Sequence, residues 1–478
     1  MAGLVVVIDI GKTHSKASLW TRDGQELART SHSNRQVEAN GYPCLDIDGI
    51  EAWLRASLSD FARKGTVAAI IPIAHGAACA VVRGRELVAA PMDYEAELPA
   101  DILEAYRAHR DAFSETGSPA MDHGLNLGVQ LHALEARIPD LFTGDAVIVP
   151  WPQYWAWRFT GVAVSEVTSL GAHTDLWSPL GKAPSPMAVK RGWAQRLAPL
   201  YRAGDVVGTL LPEWSAATGL PAETQVHAGL HDSNAALLAA RMHPEIRDRD
   251  AAIVSTGTWF VTMRSSKETQ PAFETLGPGG VVNVDVNGSP VPTLIFMGGR
   301  EVEILSGDGI RIDDPQYEGA IMAALRDCVS RGAMILPTFV PGTGPFPKAS
   351  GEWLNRPRNP VEKAATVALY AALLTDLALT RVGARGTIMI DGRFARSKAF
   401  VSVLARLQTG HPLYVANQEA DLAIGALSLL SSTLSLQGSL ELVDSCTLDL
   451  SAYRSRWLEA LGVPREGAPI CDRTSHGS

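Results

Sequence analysis

The chain opens on an unbroken apolar run, Leu4-Val5-Val6-Val7-Ile8, the pattern of a strand buried on both faces. Gly11 marks a turn. Beyond it Lys16-Ala17-Ser18-Leu19-Trp20 predicts a second strand, Asp23-Gly24 a hairpin, and Glu26-Leu27-Ala28-Arg29-Thr30 a third strand, so a β-meander is expected here rather than a βαβ unit. Strands follow over 67–74 and 146–149, with a helix over 126–137 between them. The aromatic stretch Trp151-Pro152-Gln153-Tyr154-Trp155-Ala156-Trp157 reads as core.

The charged loop Glu245-Ile246-Arg247-Asp248-Arg249-Asp250 interrupts the apolar pattern and a new strand over 251–255 follows, which places a boundary between domains 1–247 and 248–478. That strand runs into Ser255-Thr256-Gly257-Thr258, and residues 259–263 resume strand composition. Strand, small polar turn and strand thus recur halfway along the chain, which predicts two related lobes. Asn359, Pro360 and Glu362 supply a cap, an N1 proline and a capping-box acid for a long apolar helix reaching about residue 382, stopped by Gly383. Strand 387–390, turn Asp391-Gly392-Arg393, helix 397–407, strand 413–416 and helix 420–430 complete an alternating α/β order.

Composition narrows the function classes. The 478 residues include 42 basic and 51 acidic side chains, net −9, which disfavours nucleic acid as a partner. The five cysteines (Cys44, Cys79, Cys328, Cys446, Cys471) are far apart and form no C-x-x-C pair, so they are expected as reduced thiols. No signal peptide is predicted at the N-terminus, and the apolar stretch 364–374 falls short of the roughly 20 residues of a membrane span. A soluble, cytoplasmic protein is expected.

The candidate chemistry sits at turns. Asp9-Ile10-Gly11-Lys12-Thr13-His14-Ser15-Lys16 concentrates a carboxylate, a glycine, hydroxyls and two lysines at the end of a buried strand, a set suited to Mg²⁺ and phosphate. Gly11-Lys12-Thr13 is not a P-loop, because Val6 stands where the upstream glycine is required and a strand follows. Ser255-Thr256-Gly257-Thr258 is a second small, hydroxyl-rich turn. Asp232, in Gly229-Leu230-His231-Asp232-Ser233-Asn234, falls at a helix N-terminus, where a cap is the simplest reading. His227 and His231 have i, i+4 spacing, but Ala228 replaces the glutamate of H-E-x-x-H and zinc is not expected. Neither G-x-S-x-G nor a dinucleotide G-x-G-x-x-G after a strand occurs.

Taken together and in order, over roughly residues 4 to 430, these segments resemble the FGGY carbohydrate kinases of the actin/hexokinase-like ATPase superfamily. The first turn resembles D-x-G-T-T-x-x-K, matching at Asp9, Gly11, Thr13 and Lys16, and Ser255-Thr256-Gly257-Thr258 is similar to the second phosphate motif. Ala74-His75-Gly76-Ala77 resembles the M-H-G sugar segment, with Asp93 where members carry a substrate-contacting aspartate. Gly229-Leu230-His231-Asp232 is similar to the segment carrying the catalytic base, and the loop from Leu336-Pro337 to Gly342-Thr343-Gly344-Pro345 to the one before the ATP lobe's helices. Asp391-Gly392-Arg393-Phe394-Ala395-Arg396-Ser397 resembles the adenosine motif G-G-G-x-x-S, and residues 419–426, beginning at Glu419, E-x-x-x-x-G-A.

The resemblance implies an α/β protein of two ribonuclease H-like (actin/hexokinase-like) lobes around an active-site cleft, which phosphorylates a sugar such as a ketopentose or deoxyketohexose from ATP and Mg²⁺. It further implies Asp232 as base and His75, Asp93 and His231 at the sugar. Gly11, Lys12, Thr13, Lys16, Thr256, Gly257, Thr258, Gly392 and Ser397 fall at ATP, and Asp9 at the metal through water. The sugar lies on lobe 1–247 and ATP on lobe 248–478, and a homodimer is compatible with this reading. The alternative on the same fold is a nucleotide-dependent clamp or regulatory ATPase. Lys12 and the lone Gly392 depart from the family pattern, and Lys12 either enters the cleft toward the phosphates or turns to solvent.

Overall fold

The computed structural model describes residues 3–39, 41–266, 273–417, 421–431, 434 and 438–463. Two mixed sheets organise it. In the first, strands Leu4–Ile10, His14–Trp20 and Glu26–Ser33 form the expected antiparallel meander. Val67–Ala74 pairs with Leu4–Ile10 in parallel, and Gln225–His227 and Leu230–His231 pair in parallel with Val67–Ala74. Val206–Thr209 closes that edge. In the second, Ala251–Thr256, Phe260–Ser265 and Pro290–Phe296 repeat the antiparallel order, Thr387–Gly392 pairs with Ala251–Thr256 in parallel, and Leu413–Ala416 continues outward. The two lobes therefore share one plan, that of the ribonuclease H-like fold.

The opening strand shows why its apolar run is unbroken. Val6, Ile8 and Ile10 face a core that includes Leu54 and Phe61 of helix Ile47–Ala62, together with Trp151 and Trp155. Val5 and Val7 face the opposite way, onto Ala235 and onto Ala423 and Ile424 of helix Leu422–Leu427. The aromatic segment is helix Trp151–Thr160 and is largely buried, as expected for core.

In the second lobe the Asn359 side chain accepts from Glu362 N at 2.9 Å and starts helix Pro360–Arg381. This helix is long and apolar enough to cross a membrane by length and composition, but it is packed inside the lobe, with Ala365, Val367, Leu369 and Leu373 in the core. The helix predicted over 126–137 spans Leu127–Arg137, and Asn126 makes no cap bond: its amide is spent on Ser118, Pro119 and the carbonyl of His173. The helix predicted over 420–430 spans Leu422–Leu427; Glu419, Ala420 and Cys471 lie outside the described residues.

Helix Asp232–Arg241 lies between the lobes. Ala235 belongs to the cluster under the first sheet, whereas Leu237 and Ala240 pack with Ala251, Ile253 and Met389 of the second. Gly425 allows helix Leu422–Leu427 to cross it closely, since a Cβ at that position would run into the Ala235 carbonyl.

Candidate active site

The parallel pairing of the first sheet brings three strand ends side by side, with Ile10 opposite Ala74 and Ala74 opposite His231. Asp9, His75 and His231-Asp232 therefore gather at the carboxyl edge of one sheet, the edge at which open α/β sheets bind ligands.

The hairpin turn after Asp9 is closed by Gly11 N donating to His14 O at 3.1 Å, and a Cβ on Gly11 would stand 2.7 Å from that carbonyl. Asn34, which no motif singles out, clamps the turn: its amide donates to Gly11 O at 2.7 Å and its carbonyl accepts from Ser15 at 2.9 Å. Thr13 is exposed at the tip. Lys16 stands opposite Asp9 in the hairpin register, and with Ser18, Arg29 and Asp421 the two line a small polar cavity of about 170 Å³. Burial pushes the Asp9 carboxyl up to about 7, reinforced by the carboxylates of Asp232 and Asp421 and opposed by Lys16 and Arg29.

Asp232 is the first residue of helix Asp232–Arg241, with His231 in the capping position, and its side chain is about one third exposed (32%). Its Oδ1 accepts from Ser233 N at 2.5 Å and lies 3.2 Å from His231 Nε2. A cap oxygen would reach two or three residues ahead, so the local bond to Ser233 is not that of a helix cap. The backbone beneath is fixed from inside. His231 N donates to Thr168 Oγ1 at 3.0 Å, Thr168 N to Glu166 Oε2 at 2.9 Å, and Gln153 Nε2 holds the carbonyls of Ala228 and Gly229 at 3.2 Å each. Burial pushes the Glu166 carboxyl up to about 7, against the hydrogen bonds it accepts from Thr168 and Ser169.

Three imidazoles border Asp232. His75 Nδ1 accepts from Ala77 N at 3.3 Å, so the proton sits on Nε2, a buried donor without a partner. His173 Nδ1 faces the Leu125 carbonyl at 2.7 Å and must donate to it, leaving Nε2 as an acceptor. His231 Nε2 lies 3.2 Å from Asp232 Oδ1, and its buried Nδ1 has no partner. Burial lowers the pKa of all three, that of His75 to about 4. His173 was not legible in the sequence. His227 turns to the Gly204 carbonyl at 2.8 Å; it and His231 end separate short strands, so their spacing is not that of one helix face.

Several side chains expected at the ligands have partners within the chain. Lys12 does not turn to solvent or stand free toward phosphates: its ammonium is ion-paired with Asp93, with Glu95 at 3.5 Å and the Tyr94 ring centroid at 5.0 Å. Thr256 is fully buried, and its hydroxyl is used in the backbone, donating to Asp391 O at 2.6 Å and accepting from Phe394 N at 3.1 Å. Ser397 is also buried; it donates to Ile312 O at 2.7 Å and caps helix Lys398–Leu407. Both hydroxyls build the turns and do not reach the cavity.

Gly257 and Thr258 are exposed at the second hairpin, which lies against the N-terminus of helix Gly298–Ser306, with Arg300 N donating to Thr258 O at 3.3 Å. Gly392, at φ +89°, passes so near Thr256 that a Cβ would stand 2.7 Å from its carbonyl oxygen. Beside it opens a cavity of about 570 Å³ whose lining includes Asp391, Gly392, Arg396, Val415, Asn417 and Asp444. In the loop from Leu336, the buried Glu301, unforeseen in the sequence, accepts from Phe339 N at 3.0 Å and Val340 N at 3.3 Å.

Comparison with known proteins supports the family and the fold. The model of the C-terminal domain of the FGGY carbohydrate kinases matches residues 248–437. A carbohydrate kinase from Novosphingobium aromaticivorans of solved structure is 45% identical, with a TM-score of 0.92 over 96% of this chain and 99% of that one. A xylulose kinase and a gluconate kinase, both from Lactobacillus acidophilus, have TM-scores of 0.76 and 0.75 at 15% identity, each covering at least 96% of both chains, and share the fold. The rhamnulokinase of Klebsiella pneumoniae is 24% identical over 276 residues, 53% of this chain and 52% of that one, so the match spans about half the length of that relative.

Proposed function

The chain belongs to the FGGY family of carbohydrate kinases, and from that premise we propose that it transfers the γ-phosphoryl group of ATP to a hydroxyl of a neutral sugar held between the lobes. The observation that carries the reading is the meeting of Asp232 and the half-buried Asp9 at strand ends on either side of Val67–Ala74, close enough for the Asp232 carboxylate to raise the pKa of Asp9, with the unpartnered His75 donor beside them. In this reading residues 1–247 hold the sugar and the base, and residues 248–478 hold ATP.

Asp232 accepts the proton of the attacking hydroxyl as the new oxygen–phosphorus bond forms and the bond to the β,γ-bridging oxygen breaks, releasing ADP. Most of the remaining work is alignment. His75 donates to a substrate oxygen through Nε2, while Glu166, Thr168 and Gln153 fix the backbone that aims Asp232. The turns at Gly11 and Gly257 and the N-terminus of helix Gly298–Ser306 offer backbone N–H groups to phosphate oxygens. Gly392 opens the larger cavity to the nucleoside.

The residues fit a Mg²⁺ ion. Burial, and after it the carboxylates of Asp232 and Asp421, raise the pKa of Asp9, a cost that a bound cation would offset. Among the described residues no three His, Cys, Asp or Glu side chains gather closely enough to hold an ion alone, which suits a metal shared with phosphate oxygens and water. Asp9 would hold it, and it would neutralise phosphate charge.

The test is ADP release by the purified protein with MgATP over a panel of ketoses, polyols and aldonates, repeated with Asp232→Asn. The variant is expected to lose at least about 10²-fold in kcat while binding sugar nearly as before, because Asn keeps the shape and cannot take the proton. Turnover at the parent rate would sink the assignment of the base, and a panel without any turnover would sink the kinase reading.

A further inference from the structure

Resting on the kinase reading, we propose that Lys12 belongs to the sugar subsite, where its ion pair with Asp93 makes the site select an uncharged polyhydroxy substrate over an aldonate. Lys12 is supplied by the hairpin turn expected to serve ATP, yet its ammonium is held by residues of the 93–95 loop. It is paired with Asp93, 3.5 Å from Glu95, and 5.0 Å from the ring centroid of Tyr94. Tyr94 in turn meets His75 edge-on at 5.4 Å, and His75 lies near Trp151 at 6.4 Å. Lys12 is thereby built into the wall that carries the unpartnered His75 donor.

The pair is poised for hydroxyls. Asp93 is 1% exposed, and its Oδ1 takes both the Lys12 ammonium and the Glu95 N–H at 2.9 Å. A carboxylate has about four acceptor sites, so Asp93 can accept a further bond from an incoming hydroxyl. An ammonium has three protons, so the pair with Asp93 and the approach of Glu95 leave one to donate to a hydroxyl oxygen. A sugar OH both donates and accepts, and is matched by this arrangement together with His75 Nε2 and His173 Nε2.

Charge then discriminates. The charged groups acting on His75 and Tyr94 are Lys12, Asp93, Glu95 and Asp232, one cation against three carboxylates. Burial keeps His75, His173 and His231 from adding positive charge near neutral pH. A carboxylate on the substrate would meet no unpaired cation there and would be repelled, which is discrimination through a repulsive element.

The experiment measures kcat/KM for D-xylulose, L-rhamnulose and D-gluconate with MgATP, and ADP affinity by calorimetry, for the parent, Asp93→Asn and Lys12→Met. The parent should prefer a ketose over gluconate by at least about 10²-fold. Asp93→Asn frees the ammonium and should shift that ratio toward gluconate by about tenfold or more, whereas Lys12→Met should shift it further away and weaken ketose affinity about tenfold, with ADP affinity unchanged. Opposite shifts cannot come from loosened packing. If Asp93→Asn does not fold, Lys12→Met decides alone. Equal use of gluconate and ketose by the parent, or a Lys12→Met that loses ADP affinity and spares the sugar, would overturn the proposal and leave the kinase reading standing. ADP binding without phosphorylation of any of the three sugars, or of any other panel member, would remove the kinase reading and this inference with it.

Discussion

Glu166 has no route to solvent and touches neither the proposed sugar site nor the metal site, yet it holds the Thr168 hydroxyl on which the backbone of His231 rests. Its folded pKa of about 7 lies above the ordinary 4.5, so the folded state holds this proton more tightly than the unfolded chain. Stability from this group is therefore lost as pH rises from about 4.5 to 7. Glu166→Gln keeps the accepting oxygen and removes the charge. It should match the parent Tm at pH 5 and exceed it at pH 8, by no more than about 3 kcal/mol of stability. Melts that differ equally at both values would mean that burial of a charge is not what strains the site. At this scale the sequence disclosed residue types and places better than directions. The places of Asp9 and His75 at strand ends, and of Asp232 at a helix start, were legible because an apolar run that stops at a polar turn marks where a buried element ends. The hydroxyls of Thr256 and Ser397 are used on backbone groups of the chain, a direction that a motif does not state. Asn34, Glu166 and His173 act through bonds across 23, 63 or 48 positions or through an intermediate, and no local pattern announces them.

At the scale of elements, two features carry measurable weight. Asn359 accepts from Glu362 N at the start of the 22-residue helix that forms much of the second core. Asn359→Ala should lower stability by about 1 kcal/mol and leave kcat unchanged, checked by thermal melts beside the ADP assay. Gly392→Ala is different, because φ +89° disfavours any side chain and the Cβ would meet the Thr256 carbonyl at 2.7 Å. The turn must move, and with it one wall of the 570 Å³ cavity. ADP affinity should fall at least about tenfold while sugar affinity is retained. Retained ADP affinity would place the nucleoside elsewhere. The meanders and the capped helix were readable because their signals are short in range: unbroken apolar runs, Asp23-Gly24, and Asn359-Pro360 with Glu362. Helix Ile47–Ala62 was missed although Ile50, Leu54, Leu58 and Phe61 recur at helical spacing on its buried face. The signal was present in the chain, and the half-buried Trp53 between those positions blurred it.

Over the whole molecule, the sequence boundary near residue 247 and the packing boundary do not coincide. Val5, Val7, Ala69, Ile71 and Ile73 present one face of the first sheet, and that face is covered partly by Ala423, Ile424, Ala426 and Leu427, from the far end of the other half. Arg29 reaches back to pair with Asp421 at the same junction, and helix Asp232–Arg241 divides its own apolar faces between the two sheets. A fragment of residues 1–247 would thus expose β-branched sheet surface on one side and the Leu237 and Ala240 side of its last helix on the other. Apolar area of that kind is stabilising only while covered, at about 25 cal/mol per Å². Produced alone, 1–247 should be poorly soluble, bind a hydrophobic dye and unfold without a sharp transition; produced together with 248–478, it should be recovered as a complex. A 1–247 fragment that stays monomeric and melts cooperatively near the Tm of the intact chain would show that its exposed faces need no cover. If the complex alone folds, the two lobes are joined by shared core as well as by chain. At the crossing of Gly425 and Ala235, which belongs to that shared core, a side chain in place of Gly425 would wedge the two helices apart.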